Sequence, residues 1–222
     1  MLFRSVASAA LDFRHAEDGY PTSLVDINYA VRWVKANASA HDLDASRVAL
    51  AGQSSGGHLA MLAAMRPDDA RYASVGIDAD VDAQVCCVAM TWPVINPLSR
   101  YRHAKRERSG TPPAAWAADI PERHDTYWGT EEAMAEGNPM LALERGEAVQ
   151  TPPAVWIQGR PDPVHDYRDP DSALELNEPE RFVQRYREQG GEIDLVYIEQ
   201  ANRAEASLEP LAQFLRERLG AS

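Results

Sequence analysis

The sequence has little cysteine and little positive charge. Two of its 222 residues are Cys, and 22 Lys and Arg stand against 34 Asp and Glu, a formal net charge of −12. Cys86 and Cys87 are adjacent in an apolar run, where strand side chains point to opposite faces, so we expect neither a disulfide nor a zinc site. The negative field repels phosphate backbones and anionic lipids. We therefore expect no nucleic-acid or membrane partner and no metal.

Long apolar runs are also missing. No segment approaches the roughly 18 consecutive apolar residues that cross a bilayer, although 45% of the residues are hydrophobic. A chain of this size can bury a core without disulfides or a structural metal. We expect a single soluble domain, 1–222, in the reducing cytoplasm. The sequence leaves a homodimer open as its assembly.

Strand and helix patterns alternate along the chain. The predicted strands are 6–13, 47–52, 84–91, 154–158 and 193–198. The predicted helices are one of about four turns starting at a capping box, Ser23-Leu-Val-Asp26, and three over 57–65, 179–189 and 208–219. Apolar strands separated by helices predict an α/β fold with a mostly parallel central sheet and helices on both faces.

The segment at about 93–150 breaks this alternation. It is rich in proline and tryptophan and contains the basic run Arg100-Tyr-Arg-His-Ala-Lys-Arg106. An insertion of this kind predicts a small cap over the ends of the strands. For the basic run we favour a solvated cap helix over an anion-binding patch.

One motif predicts chemistry. Gly52-Gln-Ser-Ser-Gly-Gly57 matches G-x-S-x-G between a predicted strand and a predicted helix. A strand that turns directly into a helix strains the middle residue, needs small residues on either side and exposes the Ser54 hydroxyl as a nucleophile. The backbone N–H of Ser55 would then stabilise an oxyanion at the helix N-terminus. The alternative is a Gly/Ser turn without chemistry.

A serine nucleophile needs a base, and the base needs an acid to orient it. Asp162 follows the predicted strand 154–158 and should lie at the same sheet edge as Ser54. Because prolines flank Asp162, the alternative interpretation is that Asp162 is a turn residue without a catalytic role. Asp166 and Asp169 are weaker candidates for the acid.

These motifs resemble the α/β-hydrolase superfamily, and more narrowly the acetyl-esterase, lipase and hormone-sensitive-lipase-like carboxylesterases. The resemblance rests on Ala51-Gly-Gln-Ser-Ser-Gly-Gly57, Tyr127-Trp-Gly129, Asn138-Pro139 and Gly159-Arg-Pro-Asp162. It covers nearly the whole chain, although only the Ser54 turn and the Asp162 loop are specific. It implies hydrolysis of carboxylic esters through an acyl-enzyme, with no cofactor.

The sequence departs from the resemblance in two places. Where such enzymes carry the catalytic histidine, this chain has Arg203, whose guanidinium stays protonated and cannot act as a base. The strand and H-G-G-type loop that would precede residues 6–13 are not in the sequence, so we expect a truncated chain whose sheet lacks a front strand. Both departures place activity in question.

The remaining candidate for the base is a histidine. His165 shares the Asp162 loop and could reach toward Ser54, and its alternative is an ordinary loop histidine. His58 is expected to pack in the core, and no motif supports the others, which are His15, His41, His103 and His124.

Three functions follow from these residues. The leading hypothesis is a serine carboxylesterase acting on small esters, with Ser54, His165 and Asp162 as catalytic groups and Ser55 in the oxyanion hole. The alternative is a non-catalytic relative that binds a small ester or carboxylate, with Arg203 as a clamp. A serine peptidase is a weaker third reading.

Overall fold

The structure is a computed structural model that describes residues 6–220. Its sheet has four parallel strands in the order β1-β2-β3-β4. Their bounds are Ala49–Gln53 for β1, Cys87–Thr91 for β2, Ala154–Arg160 for β3 and Ile193–Glu199 for β4. The predicted parallel sheet is confirmed, and each strand overlaps a predicted segment.

The helices alternate with these strands. Before the predicted cap they are α1 (Thr22–Asn37) and α2 (Ser55–Met65). Within residues 93–150 they are α3 (Pro97–Arg108), α4 (Ile120–Trp128), α5 (Glu131–Glu136) and α6 (Pro139–Glu144). After β3 they are α7 (Glu178–Glu188), α8 (Arg203–Ala206) and α9 (Leu208–Leu219). The α/β fold class is therefore confirmed.

Both faces of the sheet are covered. On β2, Val88 and Met90 pack with Trp156 of β3 in a cluster that includes α2, α6 and α7. The alternate residues Cys87 and Ala89 pack on the opposite face against α9. This alternation follows from the two-residue period of a strand and explains why the strand sequences are apolar throughout.

The predicted strand over residues 6–13 is wrong. Residues 6–15 form neither helix nor strand, and in the described part of the chain β1 pairs with β2 alone. A strand needs a partner for its backbone groups, and no described residue pairs through its backbone with residues 6–13 of this segment. It is attached to α1 instead, through an ion pair of 2.8 Å between Arg14 and Asp26.

The predicted capping box is also wrong. Helix α1 begins after Pro21, and Ser23 lies inside its first turn. The Ser23 hydroxyl donates to the carbonyl of Arg14, and Asp26 accepts from the Arg14 backbone N–H. Both side chains hold the incoming chain, so tertiary contacts override the local capping pattern.

The basic run lies on α3, and its cations have different environments. Arg102 forms an ion pair of 2.7 Å with Glu131, and Arg106 lies 4.0 Å from Asp169. Arg100 differs, because it lines a small cavity beside His165. Arg102, Lys105 and Arg106 are exposed, so one face of this helix is solvated, and the rest of the run is buried or half-buried. Among residues 6–220, no helix is both long and apolar enough to cross a membrane.

Candidate active site

Ser54 occupies a strained turn between β1 and α2. Its backbone has φ 51° and ψ −117°, a region that costs a non-glycine residue about 1–3 kcal/mol. Three hydrogen bonds hold it: its N–H donates to Thr91 at 3.0 Å, and its carbonyl accepts from His58 and Val94. The strand-turn-helix context that gives G-x-S-x-G its meaning is therefore present.

The glycines around Ser54 are not equally crowded. A Cβ at Gly52 would collide with the backbone of Gly56, and a Cβ at Gly57 would lie 2.9 Å from the Cβ of Pro93. A Cβ at Gly56 itself would meet nothing within 4 Å. The expectation of a small residue on both sides of Ser54 thus holds for Gly52 and is wrong for Gly56, because the tight approach after Ser54 is at Gly57.

Ser55 is the first residue of α2. The first N–H groups of a helix have no acceptor inside it, and they carry the positive end of the helix dipole. The backbone N–H of Ser55 directly follows Ser54 in the chain. It is therefore a candidate donor to an oxyanion formed at the Ser54 hydroxyl.

His165 lies beside Ser54, although 111 residues separate them in the sequence. The Ser54 Oγ is 3.3 Å from His165 Nε2, and His165 Nδ1 is 2.9 Å from Asp162 Oδ2. A hydroxyl, an imidazole and a carboxylate thus form one continuous chain of hydrogen bonds. The sequence raised this proximity as one of two alternatives for His165, and the structure brings the residues together.

The loop after β3 supplies both the carboxylate and the imidazole. The backbone N–H of Val164 donates to Asp162 Oδ1 at 3.0 Å, and the N–H of His165 donates to the Asp162 carbonyl at 3.3 Å. This tight turn places side chains three residues apart on the same side. Both side chains are buried, with 1% of the Asp162 side chain and 6% of the His165 side chain exposed.

The loop environment shifts both pKa values downward. Burial is the main cause for His165, because it penalises the charged imidazolium, although the hydrogen bond to Asp162 opposes this. For Asp162, burial opposes ionisation, but the hydrogen bond and charge of His165 outweigh it and hold the pKa of the carboxyl below its usual range. A neutral imidazole beside an ionised carboxylate is the combination that general-base catalysis requires.

The other acidic candidates have different partners. Asp166 forms an ion pair with Arg160 at 2.5 Å, and Asp169 lies 3.3 Å from Arg181. Both support the fold of the segment that follows the Asp162 loop. Of the three carboxylates, Asp162 is the one that contacts His165.

The other histidines lie away from the Ser54 hydroxyl. His58 is buried, contacts the Gly137 carbonyl at 2.8 Å and has a pKa lowered by burial to about 4. His124 is also buried and contacts the Ile120 carbonyl, and burial lowers its pKa to about 3. His15 and His41 are exposed. The packing interpretation of His58 agrees with its burial.

Sequence reasoning missed a contact between α3 and the Asp162 loop. His103 Nε2 is 3.0 Å from the Pro163 carbonyl, and its ring stacks on Tyr167 with centroids 3.9 Å apart. The Tyr167 hydroxyl in turn donates to Ser99. The loop that carries Asp162 and His165 is thus held from the side of α3. The only indication of this contact in the sequence was that His103 lies in the basic run.

Arg203 also contacts the site. Its Nη1 is 3.4 Å from Asp162 Oδ2, and its guanidinium carbon lies 4.5 Å from the centre of the Trp92 ring. The Asp162 carboxylate therefore lies between His165 and Arg203. A guanidinium cannot accept a proton, so Arg203 does not duplicate the imidazole.

The described part of the chain contains no set of metal ligands. No group of three or more His, Cys, Asp or Glu side chains within residues 6–220 is arranged to hold a metal ion.

Known ester hydrolases resemble this chain in sequence and in fold. The BD-FAE family model matches residues 1–169, a range that includes Ser54, Asp162 and His165. The chain belongs to the BD-FAE family. Esterase LipC of Mycobacterium tuberculosis is 28% identical over 185 residues, which are 80% of this chain and 40% of LipC. The probable carboxylic ester hydrolase LipM of the same organism is 37% identical over 76 residues, 34% of this chain and 18% of LipM.

Solved esterase structures share the fold of this BD-FAE member. The carboxylesterase EstE1, cloned from a metagenomic library, superposes with a TM-score of 0.67 at 21% identity. The match covers 94% of this chain and 67% of the EstE1 chain. Carboxyl esterase 2 of Tuber melanosporum gives a TM-score of 0.65 at 14% identity, and the match covers 90% of this chain and 63% of the esterase chain. The matched segment spans less than half the length of LipC and of LipM.

The lowered pKa of His165 predicts the pH dependence of any reaction that uses it as a base. The imidazole must be neutral to accept a proton, so kcat/KM should rise with pH through the His165 pKa and then level off. We expect the midpoint of this rise below the ordinary histidine value of about 6.5.

The measurement is kcat/KM for p-nitrophenyl acetate between pH 4 and 8. A second ester with a different leaving group serves as the control, since the midpoint belongs to the free protein and should not change with substrate. A midpoint above the ordinary histidine value would contradict the prediction.

Proposed function

We propose that the protein is a serine carboxylesterase that hydrolyses small carboxylic esters through an acyl-enzyme on Ser54. The observation that carries the proposal is the hydrogen-bonded chain from Ser54 Oγ through His165 to Asp162, with distances of 3.3 and 2.9 Å. The esterase names of the relatives support the same class of reaction.

The first half of the reaction forms the acyl-enzyme. Ser54 Oγ attacks the ester carbonyl while His165 Nε2 takes the hydroxyl proton. The carbonyl oxygen becomes an oxyanion, which the N–H of Ser55 stabilises. The intermediate collapses, the bond to the alkoxy oxygen breaks, and His165 returns the proton to the departing alcohol.

The second half releases the acid. A water molecule gives a proton to His165 Nε2 and attacks the acyl carbonyl, and the bond to Ser54 Oγ breaks as His165 returns the proton to that oxygen. Throughout, Nδ1–H of His165 stays hydrogen-bonded to Asp162, whose charge stabilises the transient imidazolium. No step requires a metal or an organic cofactor.

The position of the base distinguishes this proposal from the non-catalytic alternative. The alternative rested on Arg203 standing where such enzymes carry a histidine. Here an imidazole from the Asp162 loop lies within hydrogen-bond reach of Ser54. We propose that His165 supplies the base, so Arg203 does not abolish the activity.

Covalent labelling tests the proposal directly. A fluorophosphonate probe should label the protein at neutral pH, because it reacts with an activated serine. The label should be lost in Ser54→Ala and kept in Ser55→Ala, since Ser55 contributes only its backbone. If the folded protein is not labelled and binds small esters or carboxylates without turnover, the non-catalytic alternative is correct.

We also propose the cytoplasm as the location of the protein. Cys86 and Cys87 are both free thiols, which suits a reducing compartment.

A further inference from the structure

Arg203 is held in a defined position at the start of α8. Its guanidinium lies over the ring of Trp92 at 4.5 Å, and Nη1 reaches Asp162 Oδ2 at 3.4 Å. One third of the Arg203 side chain is exposed, whereas 1% of the Asp162 side chain is. A cation at the surface therefore touches a carboxylate that is otherwise closed off from water.

Asp162 accepts hydrogen bonds from neutral donors and is paired with a cation, Arg203. Oδ2 accepts from His165 Nδ1 at 2.9 Å and from Gln158 Nε2 at 3.3 Å, and Oδ1 accepts from the Val164 N–H at 3.0 Å. These donors are neutral when His165 is neutral. Among residues 6–220, Arg203 is then the one permanent cation within ion-pair distance of Asp162. Burying a carboxylate is costly unless it is both hydrogen-bonded and paired with a charge.

We infer that Arg203 is a positioning residue for the reaction: it holds the Asp162 carboxylate ionised and directed at His165, and it disfavours a protonated His165 in the resting protein. The inference rests on the proposed function for its kinetic consequence. Its structural part, a charge that acts on Asp162 and through it on His165, can be measured without turnover.

Other charged and titratable groups also face His165. Arg100, Tyr167 and Glu178 line the cavity beside it, and burial raises the pKa of Glu178 to about 7 and that of Tyr167 well above its ordinary value. The Arg100 charge also lowers the pKa of His165, while burial lowers the pKa of Arg100 itself to about 10.

None of these three cavity groups forms a hydrogen bond or ion pair with Asp162 within the described part of the chain. The Arg100 charge acts on both Asp162 and His165 from a distance, whereas Arg203 contacts the Asp162 carboxylate directly.

The sign of the effect follows from Coulomb's law. Removing the Arg203 charge makes a positive charge on the His165 ring easier to form, so the His165 pKa should rise. The acid limb of kcat/KM should then move to higher pH. Looser placement of Asp162 should also lower kcat at the pH plateau more than it raises KM.

The test compares Arg203→Gln with Arg203→Lys, which keeps the charge and loses the planar stack on Trp92. The titration of the His165 ring is followed by NMR, with its signal assigned by its absence in His165→Ala, and kcat/KM is measured over the same pH range. For Arg203→Gln we expect both midpoints to rise by about one pH unit and plateau kcat to fall roughly tenfold. Arg203→Lys should keep the wild-type midpoint.

Four outcomes are decisive. An unchanged His165 titration in Arg203→Gln, or equal shifts in both variants, would overturn the inference, even if thermal unfolding shows a loss of stability. A rise in Arg203→Gln alone supports it. If that rise occurs in a protein that neither hydrolyses esters nor reacts with a fluorophosphonate, the inference stands and the proposed function fails.

Discussion

His165→Ala should lower kcat/KM for p-nitrophenyl acetate by about 10⁴-fold. The Ser54 hydroxyl is a weak nucleophile without a base, and the His165 ring nitrogen is 3.3 Å from it. Asp162 would remain in place but could not replace the imidazole, because it contacts His165 and not Ser54. The residual rate would come from substrate binding and the oxyanion donor.

The matched control is His41→Ala. His41 is exposed, and its side chain approaches Trp33 rather than the Asp162 loop. Its loss should leave kcat/KM within about twofold, since surface substitutions of this kind change little. Wild-type activity in a folded His165→Ala protein would show that His165 is an ordinary loop histidine and that the base lies elsewhere.

Gly52→Ala should both destabilise the protein and abolish the proposed esterase activity. The added Cβ would collide with the backbone of Gly56, and a backbone cannot rotate away as a flexible side chain can. Relief requires β1 and α2 to separate at the turn that holds Ser54. We expect a loss of about 3 kcal/mol in unfolding free energy, which corresponds to a fall in Tm of about 10 °C for a domain of this size.

Gly56→Ala provides the comparison within the same motif. No atom lies within 4 Å of the position its Cβ would take, and alanine is the better helix former. Its Tm should therefore equal or exceed that of the wild type. The Tm of both variants is measured by thermal unfolding with circular dichroism. Equal stability of the two variants would contradict the prediction that Gly52 is crowded and Gly56 is not.

The sequence predicted the Ser54 turn well because its determinants are local. A short apolar strand, G-x-S-x-G and a helix follow one another within residues 47–65, and the crowding acts between Gly52 and Gly56. Asp162 was also found, because a carboxylate directly after a buried strand must lie at the carboxyl edge of a parallel sheet.

Two local patterns misled the prediction. Residues 6–13 have strand-like composition but form no strand, because pairing depends on a neighbour that composition does not reveal. Ser23 and Asp26 have capping-box spacing, yet both side chains bind Arg14. In each case a contact distant in sequence decided the outcome.

The sequence by itself determined the fold class, the strained serine and the carboxylate at the sheet edge, because each depends on neighbouring residues or on hydrophobic period. Only the tertiary structure decided which histidine reaches Ser54. The loops after β1 and β3 meet across the intervening strand β2, and the turn from Asp162 to His165 directs the ring toward the serine. The number of residues between two positions in the sequence does not give the distance between them in space. The approach of His165 to Ser54, and of Arg203 to Asp162, depends on strand order and loop conformation.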